Sequence, residues 1–168
     1  MAMNGPQVDV LCQMDADLSH DPGRIPTMVE AARRGADFVV ASRYVPGGGT
    51  PDWGLHRKIL SRGGNTFIRL VLNRTLTDYT GAFCLFSRDL LHQLDVSSIA
   101  ANGYGFQIEL KHRASKAARV IVEVPLVFLD RRFGESKIPK STLLTNFVLV
   151  LRMRLRESFG RSRRARRP

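Results

Sequence analysis

The chain has 168 residues, enough for one domain with a substantial core and too few for two comfortable ones. Apolar residues make up 43% and charged residues 24%, an ordinary globular balance; two cysteines imply no disulfide framework, and no apolar run reaches the roughly 18 residues of a bilayer span. The net charge of +11 is uneven: residues 152–168 hold eight arginines against one glutamate, so that segment carries +7, the remainder +4, and the pI near 10.8 belongs mainly to the tail.

The opening MAMNGPQ is polar, unpatterned and without the features of a secretory leader. It leads into VDVLCQMDADLSHDP, Val8 to Pro22, an apolar run that stops at Asp15 and Asp17 and then turns. Such a run reads as a buried strand of an α/β sheet, with the carboxylates at the C-terminal edge where open sheets bind ligands. Period-two spacing puts both acids on one side if the chain stays extended, where they could face one hard cation such as Mg²⁺ or Mn²⁺. An Asp-x-Asp at a strand end is equally read as a turn with an Asx cap.

Asp21 and Pro22 are good N-cap and first-turn residues for a helix whose face is Ile25, Met28, Val29 and Ala32; Pro26 moves the start to about Ile25 or notches the first turn, and Gly35 ends it. DFVVAS, 37–42, is the next strand, and a βαβ unit places Arg43 on the same edge as the aspartates. The glycine-rich stretch 44–53 is a loop, read either as a flap over a site or as a connector.

Gly54 to Asn73 has helical periodicity, with Leu55, Ile59, Phe67, Leu70 and Val71 on one side. Arg57 and Ser61, one turn apart, can hold one phosphate, and Gly63 and Gly64 permit close packing or a bend. A short strand 83–87, a short helix 89–94, a turn 102–106 and a helix 107–117 bearing Glu109 follow. The run 119–129 is a strand that Pro125 assigns to an edge or bulge. DRRFGESK, 130–137, is a loop whose Arg131, Arg132 and Lys137 could clamp a diphosphate or simply be solvated. The last helix carries a stripe of Leu144, Phe147, Val148, Leu151, Leu155 and Phe159 with arginines around it. A basic amphipathic helix with an arginine tail points to an anionic membrane surface, with nucleic acid as the competitor.

With these residues assembled, the chain resembles the polyprenol-phosphate (dolichol-phosphate) mannosyltransferases, inverting glycosyltransferases of family 2 with a GT-A fold. The resemblance rests on MDADLSHDP at 14–22, GADFVVASRY at 35–44, HRKILSRGGN at 56–65, GYGFQIEL at 103–110 and EVPLVFLDRRFGESK at 123–137. It implies a Rossmann-like mixed sheet flanked by helices, with residues 1–140 as a partial catalytic domain and 141–168 as a basic helix and disordered tail. It implies that Asp15 and Asp17 hold Mg²⁺ or Mn²⁺ against a nucleotide-sugar donor, with Ser19 where many relatives carry a glutamine ligand. Arg43, Arg57 and Ser61 match residues that grip the polyprenyl phosphate acceptor, and Arg131, Arg132 and Lys137 match a cationic loop closing over the donor. Asp17, Arg43 and Arg57 are the expected catalytic set, and mannose from GDP-mannose is the expected cargo.

Two departures stand out. Relatives read D-x-T-S-G-F-R where this chain has Asp78-Tyr79-Thr80-Gly81-Ala82-Phe83-Cys84. The family also opens with units bearing a P-x-[YF]-N-E-like stretch that holds base and ribose, which this sequence does not contain. The expectation is therefore an N-terminally incomplete sheet, impaired transfer by this chain alone or help from a partner subunit, and a peripheral location on the cytoplasmic face of a membrane. Two rival readings are a haloacid-dehalogenase-like phosphatase, with Asp15 as nucleophile, and a basic binding module; nucleic acid is not expected as a partner.

Overall fold

The computed structural model describes residues 9–129 and 140–164, with the side chains at 140, 141 and 159–164 excepted. The expectations placed on Arg131, Arg132 and Lys137, on Phe159 and on the end of the arginine tail lie outside the described residues and side chains.

The architecture is the expected mixed α/β sandwich. Strands β1 (Val10–Gln13), β2 (Phe38–Ser42), β3 (Cys84–Ser87) and β4 (Ile121–Pro125) form one sheet in the order β1-β3-β2-β4. β2 and β4 are parallel, Phe38 opposite Ile121 through Ser42 opposite Pro125, and β3 is antiparallel to both β1 and β2. Because β1 and β2 both oppose β3, their C-terminal ends lie at the same edge, as the βαβ reading required, although β3 is inserted between them. Pro125 closes an outer strand, where its missing N–H costs nothing.

β2 is buried along its whole length. Alternate side chains feed two cores: Phe38 and Val40 join Ile68, Leu72, Ile108 and Val150, whereas Val39 and Ala41 join Met28, Ala32, Leu85 and Leu126. Helix α1 (Ile25–Arg33) covers the second face; α2 (Leu55–Val71), α3 (Arg88–Gln93), α4 (Tyr104–Ala117) and α5 (Lys140–Arg164) cover the first. This two-sided burial is why DFVVAS reads as a continuous apolar run. A 3₁₀ turn at Pro22–Arg24, capped by Asp21 accepting from the Gly23 amide, precedes α1, so Pro26 does displace the helix start to Ile25. Gly35, at φ 98°, ends that helix.

Two expectations are corrected. β1 is not buried: it is the outer strand beside β3, and Leu11 is 49% exposed with Cys12 also exposed. The predicted apolar side of α2 is largely outward, with Leu55, Ile59 and Leu70 each more than 60% exposed, while Asn65 and Ile68 face inward. On α5 the inward residues are Val150 and Met153; the stripe of Leu144, Phe147, Leu151 and Leu155, which the sequence did not assign to the core, is exposed.

The glycine loop is a tethered connector and not a flap. The Gly49 amide donates to the Leu126 carbonyl at 2.9 Å and its carbonyl accepts from Phe128 at 2.8 Å, which extends the β4 line. Gly47 has φ 84°, and a Cβ on Gly48 would lie 2.5 Å from the Ser42 carbonyl oxygen and 3.0 Å from the Arg43 carbonyl carbon. Those are backbone atoms that cannot rotate away. Gly48→Ala is expected to cost about 1–3 kcal/mol, read as a fall of several degrees in the thermal unfolding midpoint by circular dichroism. An unchanged midpoint would contradict this close approach.

Candidate active site

The C-terminal edge of the sheet opens into a cleft of about 410 Å³. Asp15, His20, Arg43, Trp53, Arg57, Ser61 and Thr80 supply its polar lining; Leu60, Phe67, Ile68, Ile108, Leu143, Phe147 and Val150 supply most of the rest. Along α2 the lining passes from Arg57 and Ser61 to Phe67 and Ile68, about 16 Å of helix rise. Opposite it runs α5, whose Phe147 ring stacks on Phe67 at 4.5 Å between centroids. A charged end is thus continuous with an apolar trough between two helices. Gly63 and Gly64 line this trough, and a Cβ on either would meet nothing within 4 Å, so they do not mark a close approach of another element.

The aspartate pair is not held by an extended strand. β1 ends at Gln13, the chain bends through residues 16–18, and Leu18 takes φ 64°. Asp17 Oδ1 accepts from the Ser19 amide at 3.1 Å and from the Ser19 hydroxyl at 2.5 Å, which is the capped turn that Asp-x-Asp also predicted. Ser19, expected as a metal ligand, is completely buried, and its hydroxyl holds Asp17 in place. Asp15 lines the cleft; Asp17 is not among its lining residues, yet both carboxylates lie close enough to act electrostatically on His20.

His20 is 1% exposed, stacked on Phe83 and edge-on to Phe128. Its Nδ1 accepts from the Asp15 amide at 3.0 Å, which leaves the proton on Nε2. Burial lowers its pKa, and the attraction of Asp15 and Asp17 only partly opposes that, so the ring is neutral. No group of three or more His, Cys, Asp or Glu suited to a metal occurs among the described residues. Two carboxylates do fit a hard divalent cation that completes its shell with water and phosphate oxygens, and Asp15 and Asp17 are the residues that would hold one.

Arg43 is the best-fixed group of the site. It is 7% exposed, and its Nε and Nη2 each donate to Asp78 at 2.7 Å, with a further bond from Nη2 to Thr80 Oγ1 at 2.8 Å. Asp78, fully buried, also accepts from the amides of Arg43, Thr80 and Gly81 at 3.0–3.2 Å. Beneath it the buried Lys111 ammonium donates to the Asp78 carbonyl at 2.9 Å. Burial alone would raise the Asp78 pKa; the Arg43 charge and hydrogen bonds, helped by Lys111, outweigh it and hold the carboxyl well below the usual range. Arg43, expected to grip a phosphate, is therefore mainly engaged in an internal ion pair.

Arg57 lies over the Trp53 ring with its guanidinium carbon 3.9 Å from the centroid, and Ser61 Oγ hydrogen bonds the Tyr44 hydroxyl at 2.6 Å. Arg43, Arg57, Ser61 and Asp15 are thus brought to one cleft. Asp78, Thr80, Lys111, His20 and Trp53 were not singled out from the sequence. The signal for Asp78 was the arginine closing a wholly apolar strand, which demands a buried carboxylate somewhere in the polar segment 77–80.

The sequence matches the Glycosyl transferase family 2 profile over residues 4–95, more than half of the chain. Among curated proteins it is 42% identical over 130 residues to the undecaprenyl-phosphate mannosyltransferase of Micrococcus luteus, covering 77% of this chain and 53% of that protein. It is 38% identical over 154 residues to the polyprenol monophosphomannose synthase of Mycolicibacterium smegmatis, covering 92% of this chain and 58% of that protein. The fold, the cleft at the sheet edge and these matches agree: the chain belongs to glycosyl transferase family 2, a family of glycosyltransferases. It spans about half the length of the curated relatives it matches. The dehalogenase-like reading is set aside by this membership.

The ion pair sets an acid limit on stability. Because folding depresses the Asp78 pKa, its contribution is complete above the ordinary carboxylate value near 4 and is lost as pH falls below it towards the folded value. Asp78→Ala should cost about 3–5 kcal/mol by urea unfolding at pH 7, because it strands a buried guanidinium. Asp78→Asn should flatten the fall in stability between about pH 5 and pH 2. An acid limb as steep as that of the native protein would remove Asp78 as its source.

Proposed function

We propose that the protein transfers mannose from GDP-mannose to a polyprenyl phosphate with inversion at the anomeric carbon. The observation that carries this reading is the cleft itself, in which an arginine and a serine at one end adjoin an apolar trough between α2 and α5. A phosphate monoester with a long hydrocarbon tail has that division of character. The names of the two relatives point to the same acceptor class.

In this mechanism the acceptor needs no strong base, since its phosphate is already anionic at neutral pH. Arg57 and Ser61 orient one phosphate oxygen toward the anomeric carbon, so that the new C–O bond forms as the bond to the diphosphate breaks. A divalent cation at Asp15 and Asp17 would supply positive charge for the departing nucleoside diphosphate. Ser19 keeps Asp17 in its rotamer, and the His20 ring pins the Asp15 backbone. Phe128, in the cleft lining, provides an apolar face that limits water near the transferred sugar.

The reading extends to location. Leu55, Ile59, Leu60, Leu143, Leu144, Phe147, Leu151 and Leu155 are all exposed on α2 and α5, the helices that flank the trough. Among the described residues no helix is long and apolar enough to cross a membrane, so attachment at the cytoplasmic surface, with the arginines of 152–168 against anionic headgroups, is the arrangement proposed.

The test is transfer of radiolabelled mannose from GDP-mannose to citronellyl phosphate by the purified chain. Turnover should require Mg²⁺ or Mn²⁺, disappear with EDTA, and fall by about 10²-fold in Arg57→Ala. Undiminished turnover in EDTA would exclude the cation role, and no turnover with any nucleotide sugar would leave the chain inactive by itself. Replacing Leu151 and Leu155 with Glu should lower partition onto anionic vesicles by about tenfold or more. Vesicle binding that is unchanged, or that gives way to retention on RNA, would favour a basic binding module.

A further inference from the structure

Trp53 occupies a position that the acceptor reading does not explain. Its ring centroid is 3.9 Å from the guanidinium carbon of Arg57 and 5.4 Å from that of Arg43, with Phe128 edge-on at 5.4 Å. The indole is 7% exposed, and its Nε1–H has no hydrogen-bond partner among the described residues. Leaving a buried donor unpaired is costly, so its persistence in a cleft wall points to an acceptor from outside the chain. His20 Nε2–H is a second buried donor without a described partner in the same lining. The unmet capacity of the cleft is therefore on the donor side, which suits phosphate oxygens.

The stack has a geometric consequence for Arg57. With its central carbon 3.9 Å over the indole, the Arg57 guanidinium is held against the ring, and its N–H groups that point away from the ring are those that can fork onto a phosphate. Arg57 stands in the first turn of α2 on a long side chain with many rotamers. Trp53 stands on the tethered end of the glycine loop, where its amide donates to the Thr50 carbonyl at 3.3 Å. The rigid partner thus selects one rotamer of the flexible one before any ligand arrives.

We infer that Trp53 is a positioning residue for the phosphoryl group of a lipid phosphate monoester: it holds the Arg57 guanidinium edge toward that group and adds its own indole N–H to the donors around it. This rests on the acceptor reading above and assigns a residue which that reading leaves unused.

Trp53 is the only tryptophan in the chain, so its emission reports on the site directly. Citronellyl phosphate should change that emission saturably, the uncharged alcohol citronellol should not, and Arg57→Leu should alter the emission of the unliganded protein. By calorimetry Trp53→Phe, which keeps an aromatic face and loses the N–H, should bind citronellyl phosphate about 3- to 10-fold more weakly, and Trp53→Leu about 10- to 30-fold. In the transfer assay the loss should fall on the KM for the lipid phosphate more than on kcat. Phe and Leu variants that bind within twofold of the native chain overturn the inference, as does an emission change with GDP and none with citronellyl phosphate. If inorganic phosphate binds as tightly as citronellyl phosphate while Trp53→Phe still weakens both, the role of Trp53 toward phosphate stands and the lipid-acceptor reading falls.

Discussion

The site depends first on the bidentate pair between Arg43 and Asp78. Two charges are taken out of water at the end of a buried strand, a costly arrangement unless the geometry is good and every remaining valence is met. Here two 2.7 Å bonds join the pair, three backbone amides complete the carboxylate, and Thr80 Oγ1 accepts a further bond from the guanidinium. The pair ties the exit of β2 to the segment entering β3, and the same segment is fastened by Glu123, which accepts from the Thr77 amide and hydroxyl, and by Asn65, which accepts from the Tyr79 amide at 2.7 Å. Four elements are thereby registered around one carboxylate. The cleft floor is cross-linked for that reason.

This explains a division of labour between the arginines. Arg43 carries a charge already balanced by Asp78, and its wide face packs among Tyr44, Trp53 and Phe128 at 5.3–5.7 Å. Its main effect is to fix the aromatic wall. Arg57 sits further out, half-buried on a helix whose neighbouring residues are exposed, and its cation lies at the cleft lining.

Much of the fold was legible because the strong signals were local. The strand 37–42 with its closing arginine, the displaced start of α1 at Ile25 and the glycine stop at 35 follow from patterning and backbone chemistry, and each is observed. The motifs also named residues that meet in one cleft. Orientation was less legible, for a physical reason. Periodicity finds an apolar stripe but not what the stripe faces, and on α2 the inward side includes Asn65, which serves the 77–80 segment, beside glycines that leave the cleft open. A polar residue with a buried duty is discarded by a hydrophobic count. The exposure of β1 was hidden in the same way, since VDVLCQ carries no mark of having one neighbour instead of two.

The exposed stripe of α5 bears on how that helix is held. A soluble helix that turned Leu144, Phe147, Leu151 and Leu155 to water would lose the stabilisation those side chains normally provide, and α5 does so while packing Val150 and Met153 inward. The same helix is clamped from the polar side by Glu157, which engages His112 at 2.8 Å and Lys116 at 2.5 Å. Its orientation is therefore held by these bonds together with the inward packing of Val150 and Met153. The helix is thus fixed with its leucines outward beside a trough lined by Phe67 and Phe147, so the apolar surface of α5 is continuous with the apolar end of the cleft whose polar end holds Arg57.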